Sequence, residues 1–227
     1  MAEPFLKCPA DWAKISLSAS PSDEYILKVS SGGTPSTTND DFWDGDIPWL
    51  TPKEITRESG SIFVSRTERN ITPAGIKGSG AKLFPPNTVM LTKRAPVGAV
   101  AVNTVPMSTN QGFLNFVCGA KLRPLFLAFW FIANRPYLDA IANGSTYPEL
   151  YLTDLFEFEV SVPPLVIQDK ILETLQSVRL LSLLGQPLQQ AITKTDELLV
   201  IHERNHRLVA LHDQLLPLLV SGNLEVT

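Results

Sequence analysis

The chain has few of the residues on which most enzyme chemistry depends. Only three histidines occur in 227 residues, all between His202 and His212, so a His-rich metal site or a His-based triad elsewhere in the chain is excluded. Two cysteines, Cys8 and Cys118, are too few for a disulfide framework, and a chain of this length can bury a core without one. No apolar stretch of signal-peptide length opens the sequence, so both thiols are expected reduced, in a cytoplasmic protein. No uncharged apolar run of about 18 residues occurs, which argues against a membrane-spanning helix. The densest candidate, Leu122 to Ala133, is short and carries Arg123. Charge of one sign is missing as well: 19 basic against 23 acidic residues leave a net charge of −4.

What is present is unevenly placed. From Asp11 to Asp46 the acids Asp11, Asp23, Glu24, Asp40, Asp41, Asp44 and Asp46 outweigh Lys14 and Lys28, giving a regional charge of −5. From Ile47 to Arg94 the bases Lys53, Arg57, Arg66, Arg69, Lys77, Lys82, Lys93 and Arg94 outweigh Glu54, Glu58 and Glu68, giving +5. A polyanion responds to the field where it lands, so the regional imbalance outweighs the sum.

The text changes character near Pro163-Pro164. Before it, Gly, Pro, Asn, Ser and Thr punctuate short apolar runs. Alternation or β-branched content predicts strands at Tyr25–Val29, Ser61–Val64, Val89–Thr92, Ala99–Val102, Phe113–Val117 and Phe156–Val160. Gly32-Gly33-Thr34-Pro35, Gly78-Ser79-Gly80 and Pro85-Pro86-Asn87 read as turns or loops. One helix is expected from about Pro124 to Ala142, with Pro136 kinking or splitting it. These elements give an α+β domain of short, mixed or antiparallel strands and few helices over residues 1–162.

Residues 163–227 read as helical. Ile167, Ile171, Leu172, Leu175, Val178 and Leu181 predict one helix to about Leu184, and Gly185-Gln186-Pro187 interrupts it. Beyond the break, Leu198, Ile201, Asn205, Leu208, His212, Leu215 and Leu219 alternate at spacings of three and four, a coiled-coil seam with two polar members. A helix from Pro187 to Val220 would be about 50 Å long and needs a partner, either in an antiparallel hairpin or on another chain.

No catalytic residue is assigned. Asp40, Asp41, Asp44 and Asp46 lack the spacing of a calcium loop and read as a solvated acidic turn rather than a metal site. Gly75, Gly78 and Gly80 lack the Gly-Lys-Ser/Thr ending of a phosphate loop. Neither Asn70-Ile71-Thr72-Pro73 nor Val162-Pro163-Pro164-Leu165 is the Asn/Asp-Pro-Pro-aromatic string of an amino-methyltransferase. Asn110 and Gln111 carry amides that can read adenine edges if they reach a groove, but their spacing favours ordinary turn or core linkers.

Six strings in register go further. They are Gly32-Gly33-Thr34-Pro35-Ser36; Phe42-Trp43-Asp44-Gly45-Asp46-Ile47-Pro48-Trp49-Leu50-Thr51; Lys93-Arg94-Ala95-Pro96-Val97-Gly98; Thr109-Asn110-Gln111-Gly112-Phe113; Val162-Pro163-Pro164-Leu165 with Gln168 and Ile171; and Leu208, Leu211, Leu215-Leu216, Leu218-Leu219 with Ser221-Gly222. In order and spacing they resemble the specificity subunit of type I restriction–modification systems, over nearly the whole chain. The resemblance implies a target recognition domain that reads half of a bipartite duplex-DNA target, and a helical spacer that sets the distance to the other half. It implies no chemistry in this subunit and no cofactor bound by it. S-adenosylmethionine is expected on modification (methyltransferase) subunits, ATP and Mg on restriction subunits.

The chain departs from that pattern in having one recognition domain and one spacer where two of each are usual. It also has Ile167-Gln168 where an acid–Gln pair usually follows Pro-Pro-Leu, and its spacer is broken at Gly185-Gln186-Pro187. Half-length forms are expected to dimerise head to tail through the helical segment; an inactive half awaiting a second recognition half, or a non-catalytic assembly protein without DNA contact, are the alternatives. The eight bases named above form the candidate DNA-contact set, with Asn110 and Gln111 beside them, and those not on DNA are expected to be solvated or paired to Glu54, Glu58 and Glu68. Trp43, Pro48, Trp49 and Pro96 are assigned to the scaffold, and Gly32 and Gly98 to turns.

Overall fold

Val89–Thr92 and Val100–Asn103 are too apolar to alternate between a wet and a dry face, so both faces of the sheet they build must be covered. A computed structural model, describing residues 12–19, 24–57, 62–94, 96–142, 149–156, 159–173 and 175, meets that demand. The chain divides into one unit of residues Lys14–Val160 and a second made of Met1–Ala13 with Ser161–Thr227.

Ten strands are present among the described residues: β1 (Ala13–Ser16), β2 (Ile26–Ser31), β3 (Trp43–Leu50), β4 (Phe63–Val64), β5 (Asn70–Ile71), β6 (Val89–Thr92), β7 (Val100–Asn103), β8 (Ser108–Thr109), β9 (Phe113–Cys118) and β10 (Glu159–Val162). The helices are α1 (Pro52–Arg57), α2 (Pro73–Lys77), α3 (Pro124–Ala133), α4 (Arg135–Ile141) and α5 (Leu152–Phe156). A five-stranded sheet runs β2-β9-β6-β7-β4, antiparallel except for the parallel β4–β7 pair. A three-stranded sheet runs β5-β3-β8, and β1 pairs with β10. The fold class is α+β.

The register assigns the two faces of the large sheet. Val89 lies opposite Phe116 and Leu91 opposite Leu114; Phe116 packs on Phe131 of α3 with ring centroids 5.1 Å apart. The other face carries Met90, Ala101 and Phe113, which share a core with Leu50, Phe84 and Met107 from the side of the small sheet. A second core gathers Trp43, Trp49, Ile71 and Ala81. Helix α3 is apolar on every side, as a covered helix should be, with Phe126, Leu127, Ala128, Trp130 and Phe131 buried.

The split anticipated at Pro136 falls at Asn134. Its backbone and side-chain N–H groups both donate to the Trp130 carbonyl, at 3.0 and 2.8 Å, and close α3. Pro136 then occupies the first turn of α4, where its missing N–H costs nothing.

Differences from the sequence expectation have physical causes. Strand β3 was read as an acidic turn, because Asp44, Gly45, Asp46 and Pro48 disguise it. It accommodates them through a bulge: Trp43 and Ile47 both lie opposite Ile71, so residues 44–46 stand out of the ladder, with Asp44 at a φ of 58°. Strands β1, β5 and β8 and helices α1, α2 and α5 are too short to carry a periodic signal. Gly98 is the turn glycine expected, at a φ of 78°. Gly32 is not: a Cβ there would lie 2.1 Å from the Thr109 carbonyl oxygen, so close backbone approach is what requires glycine.

In the second unit, residues 165–173 are helical, with Ile171, Leu172 and Leu175 buried. Gln168, fully buried, donates from Nε2 to the Pro163 carbonyl at 2.8 Å, and Pro164 accepts the backbone N–H of Ile167 at 2.9 Å. The break at Gly185-Gln186-Pro187 and the seam of Leu198, Ile201, Asn205, Leu208, His212, Leu215 and Leu219 lie outside the described residues.

Candidate nucleic-acid interface

Thr51-Pro52-Lys53-Glu54 is a capping box with proline at the first helical position, and it starts α1. Glu54 Oε2 accepts from the Thr51 N–H and hydroxyl, each at 2.7 Å, while Oε1 accepts the Glu68 N–H at 2.7 Å. Glu54 is therefore spent on backbone and a hydroxyl, not on pairing a base as the sequence suggested.

The loop carrying Glu68 is tied to β3 as well. Trp49 N–H reaches both the Arg69 carbonyl at 3.1 Å and Thr67 Oγ1 at 3.0 Å, and the Thr67 hydroxyl donates to the Arg69 carbonyl at 2.7 Å. Residues 67–69 are thus held at the backbone from two sides. The exposed Arg69 side chain lies over Trp43, its guanidinium carbon 3.5 Å from the ring centroid. Trp43 is itself immobilised: it packs edge-on against Trp49, centroids 5.1 Å apart, and its indole N–H donates to Ser36 O at 2.9 Å. Trp49 donates likewise to Gly33 O at 2.9 Å. Both indoles are buried, the scaffold role expected of them.

The remaining candidates fall into three groups. Arg66, Lys77 and Lys82 are exposed, and no ion pair engages them among the described residues. Lys77 closes α2, whose start is capped by Thr72. Lys53 is exposed on α1 and engaged in an interaction of its own; Arg57 ends that helix.

Lys93 and Arg94 converge on one carboxylate. Glu149 lies 2.8 Å from Lys93 and 3.8 Å from Arg94, and the Leu150 N–H donates to the Lys93 carbonyl at 2.8 Å. The Lys93 side chain keeps 17% of its exposure and Arg94 keeps 45%, so Lys93 is committed to Glu149 while Arg94 still faces solvent. The hydrogen bond from Lys93 holds the Glu149 carboxyl below the usual range, with both cations adding to the effect against some desolvation.

Asn110 and Gln111 serve the fold: Asn110 Oδ1 accepts the Gly112 N–H at 2.8 Å, Gln111 Oε1 accepts from the Thr34 hydroxyl, and the Gln111 carbonyl accepts from Ser31.

Among the described residues no group of three or more His, Cys, Asp or Glu side chains could hold a metal ion. Cys118 is a free thiol whose pKa burial pushes up to about 12, the reverse of an activated nucleophile. No helix among them is long and apolar enough to cross a membrane. The arrangement offers exposed cations on a frame fastened by hydrogen bonds, suited to holding a polyanion. Sequence reasoning missed Glu149, since a lone acid some 55 residues from its partners carries no local signal. The Thr51–Glu54 cap was missed as well, although the Thr-x-x-Glu spacing signals it.

Comparison with known proteins points the same way. The Type I restriction modification DNA specificity domain matches residues 24–194. The chain is 40% identical over 167 residues to the type I restriction enzyme MjaIX specificity subunit of Methanocaldococcus jannaschii, covering 73% of this chain and 37% of that protein. It is 28% identical over 158 residues to the EcoR124I/EcoR124II specificity subunit of Escherichia coli, covering 66% and 38%. The fold resembles the crystal structure of the HsdS subunit from Thermoanaerobacter tengcongensis, with a TM-score of 0.54 at 17% identity, covering 98% of this chain and 48% of that one. The chain thus spans well under half the length of these curated relatives and about half that of the solved subunit.

Proposed function

Since the chain belongs to the type I restriction–modification DNA specificity family, we propose that it is a half-length specificity subunit whose α+β domain recognises duplex DNA. It reads one half of a bipartite target and scaffolds modification and restriction subunits. The domain comprises residues 1–162, and residues 163–227 form the helical spacer through which two copies pair. The chemistry belongs to the partners: methyl transfer from S-adenosylmethionine on the modification subunits, and ATP- and Mg-dependent steps on the restriction subunits.

The observation that carries this reading is the set of exposed cations Arg66, Lys77 and Lys82, two in loops and one at the end of α2, which no ion pair engages among the described residues. Each phosphate contact releases counterions, so affinity must fall as salt rises. The test uses the full chain assembled with its modification subunit and titrated against duplex DNA between about 50 and about 300 mM salt. Charge reversal at Arg66, Lys77 or Lys82 is expected to lower affinity for all sequences alike and to reduce the salt slope by about 1 for each true contact. Affinity that is flat in salt and indifferent to all three reversals overturns the proposal.

A further inference from the structure

Among the candidate cations, Arg69 is held differently from the rest. Its backbone is tied by the Trp49 N–H and the Thr67 hydroxyl, and its guanidinium lies 3.5 Å above the Trp43 ring centroid. Trp43 is fixed in turn by Trp49 and by Ser36. A long side chain normally loses rotamer freedom when it grips a ligand, and here much of that loss has already been met on folding. Stacking uses one face of the guanidinium plane and leaves its edge of five N–H donors available. Among the described residues no carboxylate or carbonyl takes those donors, in contrast to Lys93, which is committed to Glu149.

Two acceptor classes match such a fork: a phosphate, or the O6 and N7 atoms of guanine in the major groove. The surroundings discriminate between them. The residues following Trp43 are the bulge Asp44-Gly45-Asp46, which packs on β5 two residues beyond Arg69; a Cβ on Gly45 would lie 2.6 Å from the Ile71 carbonyl oxygen. Asp44 and Asp46 are exposed in the segment that follows Trp43, and their charge counts against a phosphate as the partner of Arg69, whereas a base edge carries no net charge.

Resting on the DNA-recognition reading above, we infer that Arg69, stacked on Trp43, is a specificity-determining residue that reads a guanine in the target half-site through a bidentate contact. Arg66, Lys77 and Lys82 would then supply backbone attraction without base preference.

The test uses the full chain with its modification subunit and selection of bound duplexes from a randomised library. Wild type is expected to select a motif containing one guanine that both Arg69→Ala and Arg69→Lys cease to require, because an ammonium group keeps the charge but lacks the fork. Replacing each guanine of the motif in turn by 7-deazaguanine, which removes the N7 acceptor, should lower wild-type affinity about 5- to 150-fold at that position and leave the Arg69→Ala complex unaffected there. The 7-deazaguanine scan of wild type decides the matter even if a variant proves unstable: a motif insensitive at every guanine overturns the inference. So does an unchanged motif in both variants, or a uniform loss of affinity in Arg69→Ala with a salt slope reduced by about 1, the mark of a phosphate contact. In each of these cases the DNA-recognition reading stands. A wild-type complex that binds no duplex overturns both.

Discussion

At the scale of single residues, Glu149 is the clearest electrostatic anchor. Its carboxyl is held below its ordinary value of 4.5, chiefly by the hydrogen bond from Lys93. A carboxyl depressed in the folded state contributes stability that is complete above the unfolded value and is lost as pH falls through the folded one. The melting temperature should therefore decline as pH is taken down from about 5, and Glu149→Gln should show a shallower decline over that window, measured by thermal denaturation at low salt. This contact was invisible in sequence, since only the tertiary fold brings residue 149 to residues 93 and 94. Local chemistry was read where it acts within a turn, as at Gly98 with its positive φ, while the Thr51-x-x-Glu54 signal at the start of α1 was there but passed over. Gly32 was recognised as special for the wrong reason, because close approach to Thr109 depends on a strand some 77 residues away.

Among the elements, legibility followed hydrophobic continuity. Strands β6, β7 and β9 were anticipated to within a residue at each end, because both their faces are largely buried and their runs are mostly apolar or branched. The helical stretch from Pro124 was anticipated with a kink or split at Pro136, since a proline inside a helix costs about 3 kcal/mol, and the split falls two residues earlier, at Asn134. Strand β3 escaped because a strand with Gly, Pro and two carboxylates contradicts β-propensity, and its place was decided by Trp43, Trp49 and Leu50, which it buries. The sheet–helix contact is a strong test of the packing. Phe131 is fully buried against Phe116, so Phe131→Ala should cost about 3–5 kcal/mol in urea unfolding, with the denaturant slope little changed. A loss below about 1 kcal/mol would mean that α3 does not cover this sheet.

For the whole molecule, the decisive fact is length: the chain spans 37% of the M. jannaschii relative and 48% of the solved HsdS subunit. Under the proposed reading, one recognition domain serves half of a bipartite target and pairing of two copies would supply the other. The three-four spacing from Leu198 to Leu219 is the sequence feature that suits such pairing. Sedimentation of the full chain should show a dimer, and Leu208→Ala combined with Leu215→Ala should weaken it or lower the melting temperature, since each packed leucine contributes about 2–5 kcal/mol. Unchanged size and stability in the double variant would exclude a buried seam. Family and fold class were readable in sequence because six strings kept their order over the chain. The reading residues were not, because a base contact is set by where a loop stands relative to the duplex.

The bulge in β3 bears on how such a protein could be retargeted. Trp43 and Ile47 meet the same partner residue, Ile71, so the three residues between them contribute nothing to the alignment of the strand on either side. Their number can change while Trp49 stays opposite Ser108 and Leu50 opposite Thr109. Exchanges at Asp44 and Asp46 would alter the charge presented beside Trp43, the support of Arg69, while Gly45 is held to glycine by the Ile71 carbonyl oxygen. For an engineer, that makes positions 44 and 46 the points at which new preferences could be introduced, with Gly45 kept and glycine or asparagine favoured at the positive φ of residue 44.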